Sequence, residues 1–230
     1  MFIKADLHIH TADDPTDPLS LDSKELIDKA AKLGIKVLAF TCHEQYNCSK
    51  EYDSYAKEQG LLIIHGGEKQ IAGKDVLIYN VPVQAFDQVK TFEDLRNLKK
   101  DHPESLLIAP HPYYAILSLK EDLESNIDLF DAIEWSHFYT SCYNPNKKAQ
   151  KTAEKFHLPL LASSDTHFAC QFGKNISEIE IASLNTDEVI RSIKAGKIKF
   201  TPKALNMFEL ARILLNMLKL NLKIILKRHA

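Results

Sequence analysis

Short apolar runs alternate with helical patterns along most of the chain. Residues 2–9 form a mostly apolar run, and residues 22–33 then repeat apolar positions at helical spacing. Asp22 and Glu25 have the spacing of a capping box, and Gly34 follows where a helix C-terminus often ends. The pattern therefore predicts a strand followed by a capped helix.

The same alternation continues to about residue 200. Further strands are predicted at residues 35–41, 61–65, 76–81, 106–109, 131–135, 158–162 and 198–200. Further helices are predicted at residues 51–59, 92–100, 119–129, 146–156 and 186–195. Repeated strand–helix alternation predicts an α/β fold with a parallel sheet and outer helices, either as a barrel or as a doubly wound sheet.

Residues 203–230 have a different composition from the rest of the chain. They are rich in Leu, Ile and Met, and their polar residues recur in steps of three or four, at Glu209, Arg212, Asn216, Lys219, Lys223 and Lys227. This spacing predicts an amphipathic helix with one narrow polar stripe. We expect it to pack on a domain formed by residues 1–202. Homo-oligomer formation and membrane-surface contact through residues 205–230 are the alternatives.

Length and composition are those of an ordinary globular domain. The chain has 230 residues, 26% of them charged, and a net charge of -2, which does not favour a stable nucleic-acid partner. Its four cysteines form no C-x-x-C pair and predict reduced thiols. We see no secretory signal and no apolar run of spanning length, so we expect a cytoplasmic protein.

Side chains that bind metals cluster at the ends of the predicted strands. Asp6, His8 and His10 alternate along the first strand, so they share one face. Burying such groups together is costly unless they are paired or bind metal. Strand ends further along the chain carry His43, Glu68, His111, Asp165 and His167. Because active sites of α/β barrels lie at the carboxyl ends of strands, these residues predict one site.

The residue types indicate which ions this site would take. Imidazole and carboxylate ligands without thiolate suit Zn, Mn or Fe. The ligands are too many for one tetrahedral ion, so we expect two or three divalent metal ions with bridging carboxylates. Closely spaced ions of this kind suit the transfer of a phosphoryl group to water.

These motifs together resemble the PHP (polymerase and histidinol phosphatase) family. Residues 6–11 resemble its first motif, and His43 stands where its T-D-H motif has the histidine. Glu68 matches its bridging glutamate, residues 111–112 its H-P motif and residues 164–167 its closing S-D-x-H motif. The motifs occur in the family's order within residues 1–202.

The resemblance implies a distorted (β/α)7 TIM-like barrel that carries a trinuclear metal site. It also implies hydrolysis of phosphoesters of a small phosphorylated molecule or nucleotide by a metal-bound hydroxide. The implied metal ligands are His8, His10, Asp17, His43, Glu68, His111, Asp165 and His167. Among them, we expect His8, His10, Glu68 and Asp165 to be central to catalysis.

Two parts of the implied ligand set stay open. The family has a loop ligand shortly after H-x-H, and this loop offers Asp13, Asp14 and Asp17. We favour Asp17 and expect the other two to be solvated. After Glu68 the family often carries a histidine, whereas here the place holds Lys74 and Asp75. Asp75 is a replacement ligand, or the ligand is missing.

Other positions bear on the substrate. His137 follows a predicted strand and is read as a further ligand, a substrate contact or an exposed residue. His137 and Lys147 are our candidate substrate-binding residues. Cys42 replaces the Asp of the T-D-H motif, and we expect it to point away from His43 into the helix layer.

Two other functions remain as alternatives to phosphoester hydrolysis. The same metal chemistry could cleave an amide or ester, and a pocket without basic residues near the metals would favour that function. A non-catalytic PHP scaffold is the other alternative. It would be expected to have lost ligands, whereas the set here is nearly intact.

Overall fold

The computed structural model describes residues 1–17, 19–114 and 117–228. Its strands are β1 (Phe2–Ile9), β2 (Ile35–Phe40), β3 (Leu62–Ile63), β4 (Gly66–Ile71), β5 (Lys74–Tyr79), β6 (Leu106–Ala109), β7 (Ala132–Trp135), β8 (Leu160–Ala162), β9 (Ser177–Glu180) and β10 (Ile198–Lys199). Its helices are α1 (Ser23–Leu33), α2 (Asp53–Glu58), α3 (Val83–Gln88), α4 (Phe92–Asp101), α5 (Glu121–Ser125), α6 (Asn146–Phe156), α7 (Thr186–Lys194) and α8 (Met207–Arg228).

The strands form two sheets, each with five strands, in the orders β10-β9-β1-β2-β3 and β4-β5-β6-β7-β8. The α/β class predicted from the sequence is confirmed. The predicted parallel pairing is found only in part: β1, β2 and β3 pair parallel, as do β6, β7 and β8, whereas β9 and β10 run antiparallel beside β1, and β4, β5 and β6 pair antiparallel. Within the described ranges, the strand ladders do not close into one continuous barrel.

The two sheets meet at the places where the candidate ligands lie. At one junction, His10 N donates to Thr166 O at 3.0 Å, and Thr166 N donates to His8 O at 3.3 Å. At the other, Glu44 N donates to Glu68 O at 2.8 Å. These backbone bonds bring the ends of β1 and β2 beside the second sheet, so that side chains from both sheets face a common space.

The β4–β5 hairpin was missed by the hydrophobic pattern. Its first strand begins Gly66-Gly67-Glu68, which we read as the end of a preceding strand. Ala72 and Gly73 both have positive φ, 52° and 76°, as the two central residues of a tight hairpin turn require. The hairpin reverses the chain at once and places Glu68 opposite Leu77.

Helix α1 shows the predicted signals at both of its ends. The Asp22 side chain accepts a hydrogen bond from Glu25 N, and Gly34 adopts the left-handed conformation at the C-terminus. The helix buries Leu26 and Ile27 against β2 and so packs the first sheet from outside. The loop between β1 and α1, which carries Asp13, Asp14 and Asp17, is thereby held at both of its ends.

A central apolar cluster fills the space between the two sheets. It joins Leu7 of β1 and Val37 of β2 to Leu77, Tyr79 and further buried residues of the second sheet. The Tyr79 hydroxyl donates to the Leu7 carbonyl at 2.5 Å, which bonds the sheets inside the molecule. The packing therefore fixes the two halves of the candidate site relative to each other.

The cysteines correct one of our expectations. Cys42 and Cys48 form a disulfide, whereas we predicted four reduced thiols; Cys142 and Cys170 are free. The two partners are only six residues apart, and the loop that carries His43 brings them together. Cys42 is fully buried among residues of α1 and β2, on the side expected for it.

Helix α8 packs on the rest of the protein by only one of its faces. Ile213 is 3% exposed, and Lys174 Nζ lies 2.6 Å from Glu209 Oε1. The opposite face leaves Leu214, Leu215, Leu218 and Leu222 about half exposed. The side chains of Lys223 and Lys227, part of the predicted stripe, lie outside the described ones. No helix in the described ranges has an apolar stretch sufficient to span a bilayer.

Candidate metal centre

Glu68 stands at the centre of a buried group of imidazoles. Its Oε2 lies 3.4 Å from His8 Nε2, 3.3 Å from His10 Nε2 and 3.3 Å from His43 Nε2. Its Oε1 lies 3.4 Å from His111 Nε2. A carboxylate that faces ring nitrogens with both of its oxygens has the arrangement of a bridging metal ligand.

Asp165 is the second carboxylate of the group. Its Oδ1 lies 3.5 Å from His8 Nε2, 3.7 Å from His10 Nε2 and 3.4 Å from His167 Nδ1. Burial opposes ionisation of Asp165, but the charges of His8 and His167 outweigh it and lower its pKa. The carboxyl is therefore ionised at neutral pH and available to a cation.

Two of these residues have strained backbones. His111 has φ 28° and Asp165 has φ 45°. Neither residue is glycine, and positive φ is uncommon for other residues. Strain of this kind costs about 1–3 kcal/mol per residue and persists only where surrounding contacts enforce it. At His111 one such contact is the backbone N–H, which donates to Glu134 Oε2 at 3.0 Å. The strain turns both side chains towards the cluster.

The three aspartates of the loop after β1 have separate positions. Asp14 is buried, and its Oδ2 lies 3.0 Å from His10 Nδ1 and 2.9 Å from His43 Nδ1. Our expectation that Asp14 is solvated is therefore wrong. Asp17 Oδ2 lies 3.6 Å from His167 Nε2, at the edge of the cluster. Asp13 is exposed and accepts from the hydroxyls of Ser23 and Ser49.

Asp14 orients two imidazoles rather than facing the centre of the cluster. Burial disfavours its ionised form, but hydrogen bonds from His10 and His43 dominate and hold its pKa well below the usual range. Because Asp14 accepts from Nδ1 of both rings, their Nε2 atoms are left free to face Glu68. In return, and against the effect of burial, Asp14 and Glu68 raise the pKa of His43 to about 9.

Glu134 on β7 is a site residue that the sequence analysis missed. Its Oε1 lies 3.1 Å from His8 Nδ1, and it is 1% exposed. Glu134 is the third residue of the otherwise apolar strand Ala132–Trp135 and belongs to no recognisable motif. The one feature of the sequence that could have identified it is a charged residue inside an apolar strand. It orients His8 as Asp14 orients His10.

Asp75 also lies at the cluster, on β5. Glu68, Asp75 and His111 offer ligand atoms within 4.8 Å of one another. Burial, followed by the charge of Glu68, raises the pKa of Asp75 to about 7. Two buried carboxyls this close repel each other when ionised, and a cation between them would remove that cost.

His137 is buried, which excludes the exposed reading. Gln171 fixes the direction of this ring: Gln171 Oε1 accepts from the N–H groups of His167 and Phe168, so Gln171 Nε2 faces His137 Nε2 at 2.8 Å. Since an amide nitrogen only donates, His137 Nε2 accepts, and the neutral ring carries its proton on Nδ1.

Burial lowers the pKa of His137 to about 4, so the ring is neutral at pH 7. Nδ1 lies 3.7 Å from Asp165 Oδ2.

Asp6 and Lys147 lie apart from the cluster. Asp6 is fully buried and accepts from Ser164 N at 2.9 Å, so it holds the loop that carries Asp165. Lys147 is exposed at the start of α6 and does not line the cavity above the cluster.

The donor set suits divalent cations. Four overlapping groups have ligand atoms within 4.8 Å of one another: His10-His43-His167, His8-His111-Glu134, His8-His10-Asp165 and Glu68-Asp75-His111. Among the described residues, buried Asp75 Oδ1 has no hydrogen-bond partner. Unpaired buried acceptors and crowded carboxylates are costly without a cation, so these residues fit a site for more than one ion.

A cavity of about 220 Å³ opens above the cluster. Its floor consists of His43, Glu68, Asp75, His111, Asp165 and His167. Its walls include Tyr114, Phe138 and Phe168, and its roof consists of Ile213, Met217 and Leu220 of α8. Of the described residues that line it, none is Lys or Arg.

The fold is similar to that of PHP-like proteins, and part of the sequence matches a PHP-associated family model. Residues 144–198 match the family model described as PHP-associated. An uncharacterised protein of Methanocaldococcus jannaschii is 28% identical over 145 residues, which cover 60% of this chain and 83% of that protein. The match over residues 144–198 supports the resemblance to the PHP family that the motifs indicated.

Solved structures share the fold at low sequence identity. A two-domain protein of Bacteroides vulgatus that contains a predicted PHP-like metal-dependent phosphoesterase superposes with a TM-score of 0.68 and 15% identity, over 87% of this chain and 65% of that one. The lesion-specific endonuclease Q of Pyrococcus furiosus superposes with a TM-score of 0.60 and 15% identity, over 87% of this chain and 58% of that one. This chain therefore spans less than two thirds of either neighbour.

Proposed function

We propose that this protein is a metal-dependent phosphoesterase whose cluster holds two or three divalent ions, Zn, Mn or Fe. The observation that carries the proposal is the convergence of His8, His10, His43 and His111 on the two oxygens of Glu68, at 3.3–3.4 Å. The PHP-like phosphoesterase named among the structural neighbours supports the same activity.

We propose that the two sheets form the wall of a distorted (β/α)7 TIM-like barrel, interrupted between the ladders. The backbone bonds of Thr166 to β1 and of Glu68 to the end of β2 support it. In such a wall, the cluster would lie at the carboxyl ends of β1 and β2, where barrel enzymes carry their active sites.

Each group of ligands has a role in this proposal. His10, His43 and His167 would hold one ion, Glu68, Asp75 and His111 a second, and His8 and Asp165 would complete the set. Asp17, beside His167, is the outermost candidate ligand. Bound divalent ions lower the pKa of water and neutralise phosphoryl oxygens.

His137 contributes a hydrogen-bond donor from the protein itself. Gln171 keeps the ring neutral with its proton on Nδ1. That N–H would donate to a phosphoryl oxygen or to the leaving oxygen of a substrate bound above Asp165. His137→Ala should lower kcat/KM for a phosphate ester about 10–100-fold without changing metal content, since one hydrogen bond to a charged group is lost. An unchanged kcat/KM would remove His137 from the reaction.

A second candidate function has one observation in its favour. The described residues that line the cavity include neither Lys nor Arg, as expected for an amide or ester hydrolase whose substrate carries no phosphate. Against this, Arg212 and Lys219 line an adjoining cavity that shares His167 and Phe168 with the first. Positive charge is therefore present near the mouth.

Three substrates with one leaving group separate these functions. The metal-loaded protein is assayed with p-nitrophenyl phosphate, bis-p-nitrophenyl phosphate and p-nitrophenyl acetate, and its metal content is measured by elemental analysis. Turnover of the monoester or the diester supports the phosphoesterase and shows which ester it prefers. Turnover of the acetate alone would support the second function. If the protein binds no metal and turns over none of the three substrates, the result would support the non-catalytic scaffold.

A further inference from the structure

The roof of the cavity is the feature that the proposed chemistry leaves unused. A metal cluster that hydrolyses phosphate esters needs open space above it, yet α8 crosses that space with Ile213, Met217 and Leu220. Aromatic side chains continue this surface downwards: the rings of Tyr114 and Phe138 lie 4.8 Å apart. The cavity is therefore polar at its floor and apolar above it.

The roof is anchored by contacts at the start of α8. Leu205 N donates to Tyr139 O at 2.8 Å, and Lys203 N donates to Asn175 Oδ1 at 2.7 Å. Glu209 contacts Lys174 and accepts from Asn206 N at 3.1 Å. Contacts both before and inside the helix hold Ile213 over the cluster, so the roof is a built part of the cavity.

Size limits what the cavity accepts. Its volume of about 220 Å³ lies below the roughly 300–1,000 Å³ of pockets for drug-sized ligands. With the phosphoryl group at the floor, the space that remains beneath Met217 suits a body of about one ring. A polymer or a second bulky ester substituent would have to extend out of this cavity, away from the contacts with α8.

The apolar walls and roof of the cavity further restrict the alcohol part of a substrate. The hydroxyls of a sugar or of glycerol would lose hydrogen bonds to water against Phe138, Phe168, Ile213 and Leu220, and unpaired buried polar groups are penalised. An apolar body of the same size would instead gain from burial.

We infer that the substrates of this site are small phosphomonoesters whose alcohol part is a compact apolar or aromatic group, recognised by the apolar roof of α8. This inference rests on the proposed phosphoesterase function and assigns α8 to substrate selection. Met217 is the roof residue best suited to test it, because it lines the cavity yet is 40% exposed, so we expect a substitution there to disturb little buried packing.

The test compares two primary phosphate esters, benzyl phosphate and glycerol 1-phosphate, on the full-length metal-loaded protein. We expect kcat/KM to be at least about 10-fold higher for benzyl phosphate. Equal values, or a preference for glycerol 1-phosphate, would overturn the inference and leave the phosphoesterase standing. If neither ester nor p-nitrophenyl phosphate is hydrolysed, the proposed function itself fails.

A matched pair of variants assigns the preference to the roof. Met217→Gln keeps the length of the side chain but adds an amide, and should lower the preference for benzyl phosphate about 10-fold. Leu218→Gln makes the same kind of change on the outer face, where the side chain is 58% exposed, and should leave the preference intact. Calorimetric binding of benzylphosphonate, which is not hydrolysed, should weaken in Met217→Gln alone. Identical behaviour of both variants would contradict the assignment to α8.

Discussion

The floor and the roof of the cavity face each other but depend on different interactions. In the floor, Glu68 and Asp165 lie within 3.7 Å of several imidazole nitrogens, and Asp14 and Glu134 orient three of the rings. In the roof, one helix presents Ile213, Met217 and Leu220 and keeps its other apolar residues half exposed. A polar group in the floor has many partners to lose, whereas a roof residue has mainly contact area.

The difference indicates where specificity can vary in this protein. The floor is fixed by two sheets, by strained backbone at His111 and Asp165 and by the residues that orient the rings. The roof is attached through one helix and its preceding segment, so its residues can change without disturbing the cluster. We therefore expect substitutions in the floor to abolish function and substitutions in the roof to adjust it.

The largest expected effect comes from a floor histidine. His10→Ala removes a ring that faces both Glu68 and Asp165, so we expect loss of bound metal and at least about a 1,000-fold fall in kcat/KM for p-nitrophenyl phosphate. His102→Ala, far from the cluster and beside Glu104, is the matched control and should retain both. A His10→Ala protein with normal metal and turnover would contradict the assignment of the floor.

Metal removal should affect stability as well as activity. In the floor, Glu68 lies beside Asp75, and Glu68 and Asp165 share the contact with His8, so bound ions would offset the repulsion among these carboxylates. Ions present at 100–1,000 times Kd stabilise a protein by about 3–4 kcal/mol, so we expect Tm to fall by about 6–16 °C when a chelator removes them. Calorimetry with and without chelator, followed by readdition of Zn, Mn or Fe, measures this. An unchanged Tm would show that the floor is stable without ions.

Neighbouring aspartates separate orientation from surface charge. Asp14→Asn replaces a charged acceptor by a neutral amide with a donor on one side, which must then face either the two rings that Asp14 orients or the N–H groups of Thr16 and Asp17, so we expect about a 10–100-fold loss of metal affinity. Asp13→Asn changes the adjacent exposed residue in the same way and should leave metal affinity within about twofold, because Asp13 contacts only hydroxyls. Titration of the apoprotein with Zn or Mn provides both values. Equal losses would mean that net charge, not orientation, governs binding.

The smallest effect is expected in the roof. Ile213→Ala removes a side chain that is 3% exposed, and we expect the docking of α8 to weaken by about 2 kcal/mol. Leu214→Ala, at the next position and 49% exposed, should cost less than about 0.5 kcal/mol. Hydrogen exchange of the α8 amides should rise in the first variant alone, with metal content normal in both. Rapid exchange of α8 in the unchanged protein would show that the roof is not docked.

Local patterns predicted the regular elements well where local rules decide them. The helix at Ser23–Leu33 follows from Asp22, Gly34 and its apolar spacing, and the helix at Asn146–Phe156 was predicted with the bounds it has. The pattern failed at β4 and β9, since Gly66-Gly67 and Ser177-Glu178 give no apolar signal. Strand β4 forms because a tight turn pairs it with β5, and β9 forms because its backbone pairs with the edge of β1.

By itself, the sequence determined the α/β class, most element bounds and the kinds of ligand that the strand ends carry. Alternation along a strand and capping at a helix end act within a few residues, so they can be read locally. Only the tertiary structure decided that Asp14 and Glu134 orient the rings, that Cys42 pairs with Cys48 and that α8 covers the cluster. Each of these depends on contacts between separate parts of the chain, which packing and hydrogen bonding across the two sheets bring together.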